Sequence, residues 1–279
     1  MMKVRLGAAM MVAAMVFLFF SPRTCDADRD GSRQVMRQKP PSGKPGQGNA
    51  TAAQNMTYHG GPVMPMTVTY PIYWGNQSAF PSDLKTGLAI FFGGFGNSGY
   101  SDILAQYLLG APSTLSSHGS VATDPSSPPS RSPSVSTIVN EACKFISGTP
   151  DPDGVYFVIS SNFPRHANFC AWHSAGTCNG ASIPVVYLPN TSGVAGCDPG
   201  NLFGANNFTE GTRSMANIAA HELSEVTTDP QLNAWFDSGG QEVGDKCAWQ
   251  FLSAVTLGST SWQLQEEWSN ANSACIQSK

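Results

Sequence analysis

The stretch MANIAAHELSEVTTDP, Met215 to Pro230, sets ionisable side chains into an apolar helical pattern, and that combination restricts the fold more than any other segment. At the helical period Met215, Ile218, Ala219, Glu222, Leu223 and Val226 fall on one broad arc, with His221 and Glu225 side by side on its flank. Glu222 therefore points into the apolar stripe. Pro230 cannot continue the hydrogen-bond ladder and biases Asp229 away from helical angles, so the helix is expected to stop there.

A His and a carboxylate four residues apart on one helical face can share a metal ion, and zinc peptidases keep their general base directly after the His. Here the pattern is His221-Glu222-x-x-Glu225, with a carboxylate where the usual zincin pair has a second His. One reading is a core helix with a hydrogen-bonded His221 and two partly solvated glutamates. The other is a zinc centre in which His221 and Glu225 are ligands and Glu222 is the base. The following AWFDSGGQEVGDKCAW reads as a hairpin turning at Gly239-Gly240, which returns acidic side chains toward the helix. Asp245 is the preferred third ligand, with Glu242 and Asp237 as substitutes. Two carboxylates and one neutral His would cancel the ion's charge, so slow hydrolysis with an alkaline optimum is expected.

The chain opens with Lys3 and Arg5 and an apolar run from Gly7 to Phe20, too short to span a bilayer comfortably, which reads as a secretory signal cleaved after Ala27. Cleavage removes Cys25 and leaves Cys143, Cys170, Cys178, Cys197, Cys247 and Cys275, an even set that in an exported chain argues for three disulfides. Among the possible pairings Cys170–Cys178, Cys247–Cys275 and Cys143–Cys197 are favoured. Asn49, Asn55, Asn76, Asn190 and Asn207 are glycosylation acceptors if the secretory route is eukaryotic. From Tyr58 onward the chain is acidic, so no basic patch is present to neutralise phosphates and nucleic acid is an improbable partner. No later apolar run is long enough for a membrane helix.

Residues 28–57 are rich in Pro, Gly, Gln and Lys and are expected to be disordered, leaving residues 58–279 as one compact domain. MTVTYPIYW, Met66 to Trp74, reads as a first strand, with Pro71 marking an edge or a bulge. Ser82 and Asp83 can cap a helix running to Ile90–Phe92, and a second helix is expected over Ser101 to Leu109. Gly110 to Ser134 reads as an exposed Ser/Pro-rich loop and Val135 to Phe145 as a third helix. GVYFVIS and PVVYLPN are near-continuous apolar runs suited to strands buried on both faces. Between them NFCAWHSAGTC reads as a loop fastened by cysteines, with Trp172 packed on the core and His173 either at the surface or facing a site. The whole predicts an α+β fold, a mixed central sheet with helices in a zincin-like order, stabilised by disulfides.

Several blocks together resemble the EXORDIUM, or phosphate-induced protein 1, family of secreted plant proteins: YHGGPVMPMTVTYPIYWG, VYFVISSNF with FCAWHSAG, PVVYLPN, MANIAAHELSEVTTDPQLNAWFD with VGDKC, and EEWSNANSAC. The match falls most specifically on His221, Glu222, Glu225, Pro230, Asn233, Ala234, Trp235, Gly244, Asp245 and Cys247. It departs from the family in the basic segment before Tyr58 and in the Ser/Pro insertion. The resemblance implies a secreted, extracellular or cell-wall protein linked to growth and nutrient status. Two function classes follow. One is a non-catalytic protein that binds an extracellular matrix or cell-wall component; the other is a zinc-dependent hydrolase acting on a peptide substrate.

Overall fold

A computed structural model describes residues 33–39, 54–204 and 206–279. The expected signal segment, Cys25, Asn49 and most of the expected disordered stretch lie outside these residues. The strands are β1 (Gln34–Arg37), β2 (Thr57–Tyr58), β3 (Met66–Trp74), β4 (Leu115–His118), β5 (Ala122–Asp124), β6 (Gly154–Ser160), β7 (Phe169–Cys178), β8 (Ala181–Pro189), β9 (Trp235–Phe236), β10 (Val255–Leu257), β11 (Thr260–Trp262), β12 (Glu267–Ser269) and β13 (Ala274–Ile276). The helices are α1 (Leu84–Phe95), α2 (Val135–Cys143) and α3 (Glu210–Thr228). Ser101–Tyr107, expected as an α-helix, forms 3₁₀ turns instead.

A mixed, seven-stranded sheet runs β1-β7-β8-β6-β3-β4, with β5 also on β3. β3, β4, β5, β6 and β8 are parallel, whereas β7 and β1 run antiparallel to their neighbours. Alternation along the strands divides the core into two layers. Val155, Phe157, Ile159, Val186 and Leu188 face α1 and α3, while Tyr156, Val158, Val185 and Tyr187 face α2. The fold is thus α+β, with helices on both faces of one mixed sheet.

Pro71 lies in an interior strand, not at an edge. On one side β3 pairs with β6 throughout Val68–Trp74; on the other, pairing passes from β4 to β5 around Tyr70 and Pro71, so the missing amide hydrogen interrupts nothing. The Ser/Pro-rich segment expected as loop therefore supplies two short strands. The segment expected to be disordered also contributes. β1 pairs with β7, and its Gln34, Val35 and Met36 are buried because the sheet offers them an unpaired edge and two apolar faces.

Disulfides join Cys143–Cys178, Cys170–Cys197 and Cys247–Cys275. Of the favoured pairings Cys247–Cys275 agrees, whereas Cys170–Cys178 and Cys143–Cys197 do not form. Cys170 and Cys178 stand at opposite ends of β7, about 26 Å apart at 3.3 Å per residue, and no bridge spans that distance. Instead one bridge ties the end of β7 to α2 and the other ties its start to the turn before α3. Three disulfides fit an oxidising, extracellular compartment. Among the described residues no helix is long and apolar enough to cross a membrane.

Asp83 does not cap α1 through its side chain. Its carboxylate accepts hydrogen bonds from Thr209 N and Oγ1, both at 2.7 Å, and from Thr212 Oγ1 at 2.6 Å, which fastens the start of α3. Burial works to raise its pKa, but the bonds from Thr212 and Thr209 outweigh it and hold the group below its ordinary value. A depressed acid stabilises the fold above its unfolded pKa and loses that contribution as pH falls through the folded one. Asp83→Asn should cost about 0.5–2 kcal/mol at pH 7, as for a lost helix cap. In urea melts the gap to wild type should close as pH falls below about 4.

Candidate metal centre

α3 begins at Thr209, whose side chain accepts from Thr212 N, and ends at Asp229, before Pro230. Its residues from Gly211 to Thr228 are almost all buried, because it lies between the sheet, α1 and the C-terminal strands. In the last turn Thr227 Oγ1 donates to Leu223 O and Thr228 Oγ1 to Ser224 O, so these hydroxyls find partners inside the apolar surround. His221, Glu222 and Glu225 are fully buried; the glutamates expected to be partly solvated are not.

β7 brings a second imidazole to the same place. NFCAWHSAGTC is a strand, not a loop, because Asn179 (φ 49°) and Gly180 (φ 83°) form a two-residue turn that returns the chain into β8, pairing Cys178 with Ala181. The register puts Trp172 on the α2 face and His173 on the α3 face, opposite Val186 and Gln34. Trp172 packs in the core as expected. His173, read as a surface or site-facing residue, is fully buried, with Nε2 3.4 Å from Glu225 Oε2 and 3.3 Å from Glu242 Oε2.

The segment after α3 is a loop, not a hairpin. β9 pairs with β2 instead of with its own return, and Asp237 turns the chain by accepting from the amides of Gly239 and Gln241. Lys246 Nζ lies 2.8 Å from Asp237, so this substitute ligand is committed elsewhere. Asp245 and Glu242 do reach the helix. Asp245 Oδ1 is 3.7 Å from His221 Nε2, Glu225 Oε1 is 3.2 Å from the same nitrogen, and Asp245 N donates to Glu225 Oε1 at 3.1 Å. Cys247–Cys275 anchors this loop two residues beyond Asp245.

Gly244 makes the approach possible. A Cβ there would stand 2.7 Å from His221 Nδ1 and 3.1 Å from two ring carbons, although its φ of −78° suits any residue. Gly244→Ala should therefore push the Asp245 loop off the helix, costing about 1–3 kcal/mol in stability by overpacking. In a zinc titration the same variant should bind at least about tenfold more weakly, a change that 1.4 kcal/mol suffices to produce.

Sequence reasoning gave no role to Gln34, Gln265 or Glu267. Gln34 Nε2, from β1, donates to Asp245 Oδ2 and to Gly240 O. Gln265 Nε2 lies 3.0 Å from His221 Nδ1 and 2.9 Å from Gly244 O. Donation to Nδ1 leaves the ring proton on Nε2, facing Glu225, and the bond to Gly244 O fixes the amide with its nitrogen on this side. Glu267 accepts from Tyr100 Oη at 2.6 Å, and burial pushes its pKa up to about 8. Only the Asn179-Gly180 turn signal was available in the sequence to recover His173.

Burial lowers the affinity of His221 for its proton, but Glu225, Glu222 and Asp245 around it more than reverse this, so its pKa lies well above the ordinary value. Burial pushes Glu222 well above the usual carboxylate range. Burial pushes Glu225 the same way, yet the two imidazoles hold it below that range. Neither carboxylate oxygen of Glu222 has a hydrogen-bond partner, and His221 Nε2, Glu225 Oε2 and both His173 ring nitrogens are in the same condition. Polar atoms at zero exposure without hydrogen bonds are costly, and these imidazoles and carboxylates face one another at 3.2–3.4 Å in an arrangement that could hold a metal ion. Among the described residues two groups have ligand atoms that all lie within 4.8 Å of one another: His221, Glu225 and Asp245, and His173, Glu225 and Glu242. No family model matches the chain, and no curated protein or solved structure matches it either.

Proposed function

We propose that this is a secreted zinc-dependent hydrolase, peptidase-like, on an EXORDIUM-like domain whose α3 helix and mixed sheet stand in a zincin-like arrangement. The observation that carries the reading is Glu222: a fully buried carboxylate with both oxygens lacking a hydrogen bond, next in sequence to His221 and one helical turn before Glu225. His221, Glu225 and Asp245 would hold the ion, which would polarise a substrate carbonyl and acidify water beside it. Glu222 takes the proton of the attacking water and returns it to the leaving amine. Burial raises its affinity for the proton above that of an ordinary carboxylate, the direction needed by a group that must carry a proton between the two steps. Gln34 and Gln265 hold Asp245 and His221 in orientation.

A second reading rests on the burial itself. Asp245 is 6% exposed and the other ligands and Glu222 are at 0%, which also suits a structural ion in a non-catalytic protein that binds a cell-wall or matrix component. Metal analysis of protein purified without chelators, repeated on His221→Ala, together with peptidase assays of Glu222→Gln, separates the two. Hydrolysis that disappears in Glu222→Gln with zinc retained supports the enzyme. Zinc without any hydrolysis leaves the structural reading, and absence of stoichiometric metal in wild type removes both.

A further inference from the structure

We propose that the centre takes two divalent cations bridged by Glu225, with His173 and Glu242 completing the second position; this deepens the metal-centre reading above and rests on it. The two oxygens of Glu225 face different partners. Oε1 stands 3.2 Å from His221 Nε2, which is itself 3.7 Å from Asp245 Oδ1. Oε2 stands 3.4 Å from His173 Nε2, which is 3.3 Å from Glu242 Oε2. The ligand atoms form two groups that share only Glu225, not one larger cage. Zinc–nitrogen and zinc–oxygen bonds of about 2.0–2.2 Å put tetrahedral ligands about 3.3–3.6 Å apart, and each group has spacings of that order. A carboxylate giving one oxygen to each of two ions suits the separation of about 3.5–4 Å typical of two-metal hydrolytic sites.

One further observation points the same way. His173 is fully buried in the middle of a paired strand. Neither ring nitrogen makes a hydrogen bond, and Nε2 faces the carboxylates of Glu225 and Glu242 at 3.4 and 3.3 Å, so the imidazole stands where an ion between those oxygens would take it as a third ligand.

The test is titration of the chelator-stripped full chain with zinc chloride, counting bound equivalents by elemental analysis after dialysis. Wild type should bind two equivalents, and His173→Ala and His221→Ala one each. Manganese loading of wild type provides a readout that needs no variant: two bridged ions give an exchange-coupled paramagnetic resonance spectrum, one ion an ordinary six-line spectrum. Glu242→Gln, nearly isosteric, replaces His173→Ala if that variant does not fold. One equivalent that survives His173→Ala and is lost in His221→Ala would overturn the two-ion centre and leave the single-zinc reading intact. One equivalent lost in both variants would mean a single ion shared by the two imidazoles. No bound metal in wild type would sink both.

Discussion

Chelation should lower the thermal midpoint by about 8–16 °C, and zinc should restore it. An ion at a thousand times its dissociation constant stabilises the native state by about 4 kcal/mol, and a domain of this size shifts by about 2–4 °C per kcal/mol. The loss is large because the ligands are not a surface cluster that water can solvate. His221, Glu222 and Glu225 are at zero exposure, so a stripped site must hold protons or bear poorly solvated charge. Those protons set the sign of the pH dependence. Glu222, Glu267 and His221 all have folded pKa values raised above their ordinary ones, Glu267 to about 8. The metal-free native state therefore binds more protons than the unfolded chain between about pH 5 and 8, and its stability falls as pH rises across that window. Glu225, shifted down, is ionised in both states there and adds no slope. Scanning calorimetry of stripped protein at pH 5.5 and 8 should show the lower midpoint at pH 8, with a shallower dependence in the zinc-loaded protein. A stripped protein as stable as the loaded one would remove the metal from the fold altogether.

Glu222→Gln should reduce hydrolysis of a peptide substrate by about 10²–10⁴-fold, the usual contribution of a positioned base, while zinc content remains at the wild-type value. Gln keeps the volume and the hydrogen-bonding shape of the side chain but cannot take a proton. The stripped variant should also melt higher than stripped wild type at pH 8, because the amide needs no proton, whereas the buried carboxyl is held protonated at a pH where the unfolded chain has lost that proton. This second readout separates a base from a ligand. Were Glu222 a ligand, the substitution would release the ion, and zinc content would fall together with activity.

The α3 helix and its ending at Pro230 were legible in the sequence because a helix buries a stripe whose period is local, and a proline stops it wherever the chain goes next. The two central strands β6 and β8 were legible for a similar reason, being short apolar runs with turn residues at their ends. His221, Glu225 and Asp245 were named as partners from spacing, and the structure brings them within reach of one another.

What the tertiary structure alone decided is which distant segments share an edge. β1 reads as a polar linker because a four-residue strand has too little apolar surface to declare itself; only the open edge of β7 makes Gln34 a buried neighbour of Asp245. By sequence His173 lies in a loop fastened by neighbouring cysteines, yet the Asn179-Gly180 turn sets its register against β8, and one residue's slip would have turned it to the α2 face. The disulfide partners were likewise not local: Cys143 meets Cys178 because α2 packs across the end of that hairpin. Local periodicity determines where a helix carries its acid and imidazole, and strand register, which couples residues far apart in sequence, determines what stands opposite them.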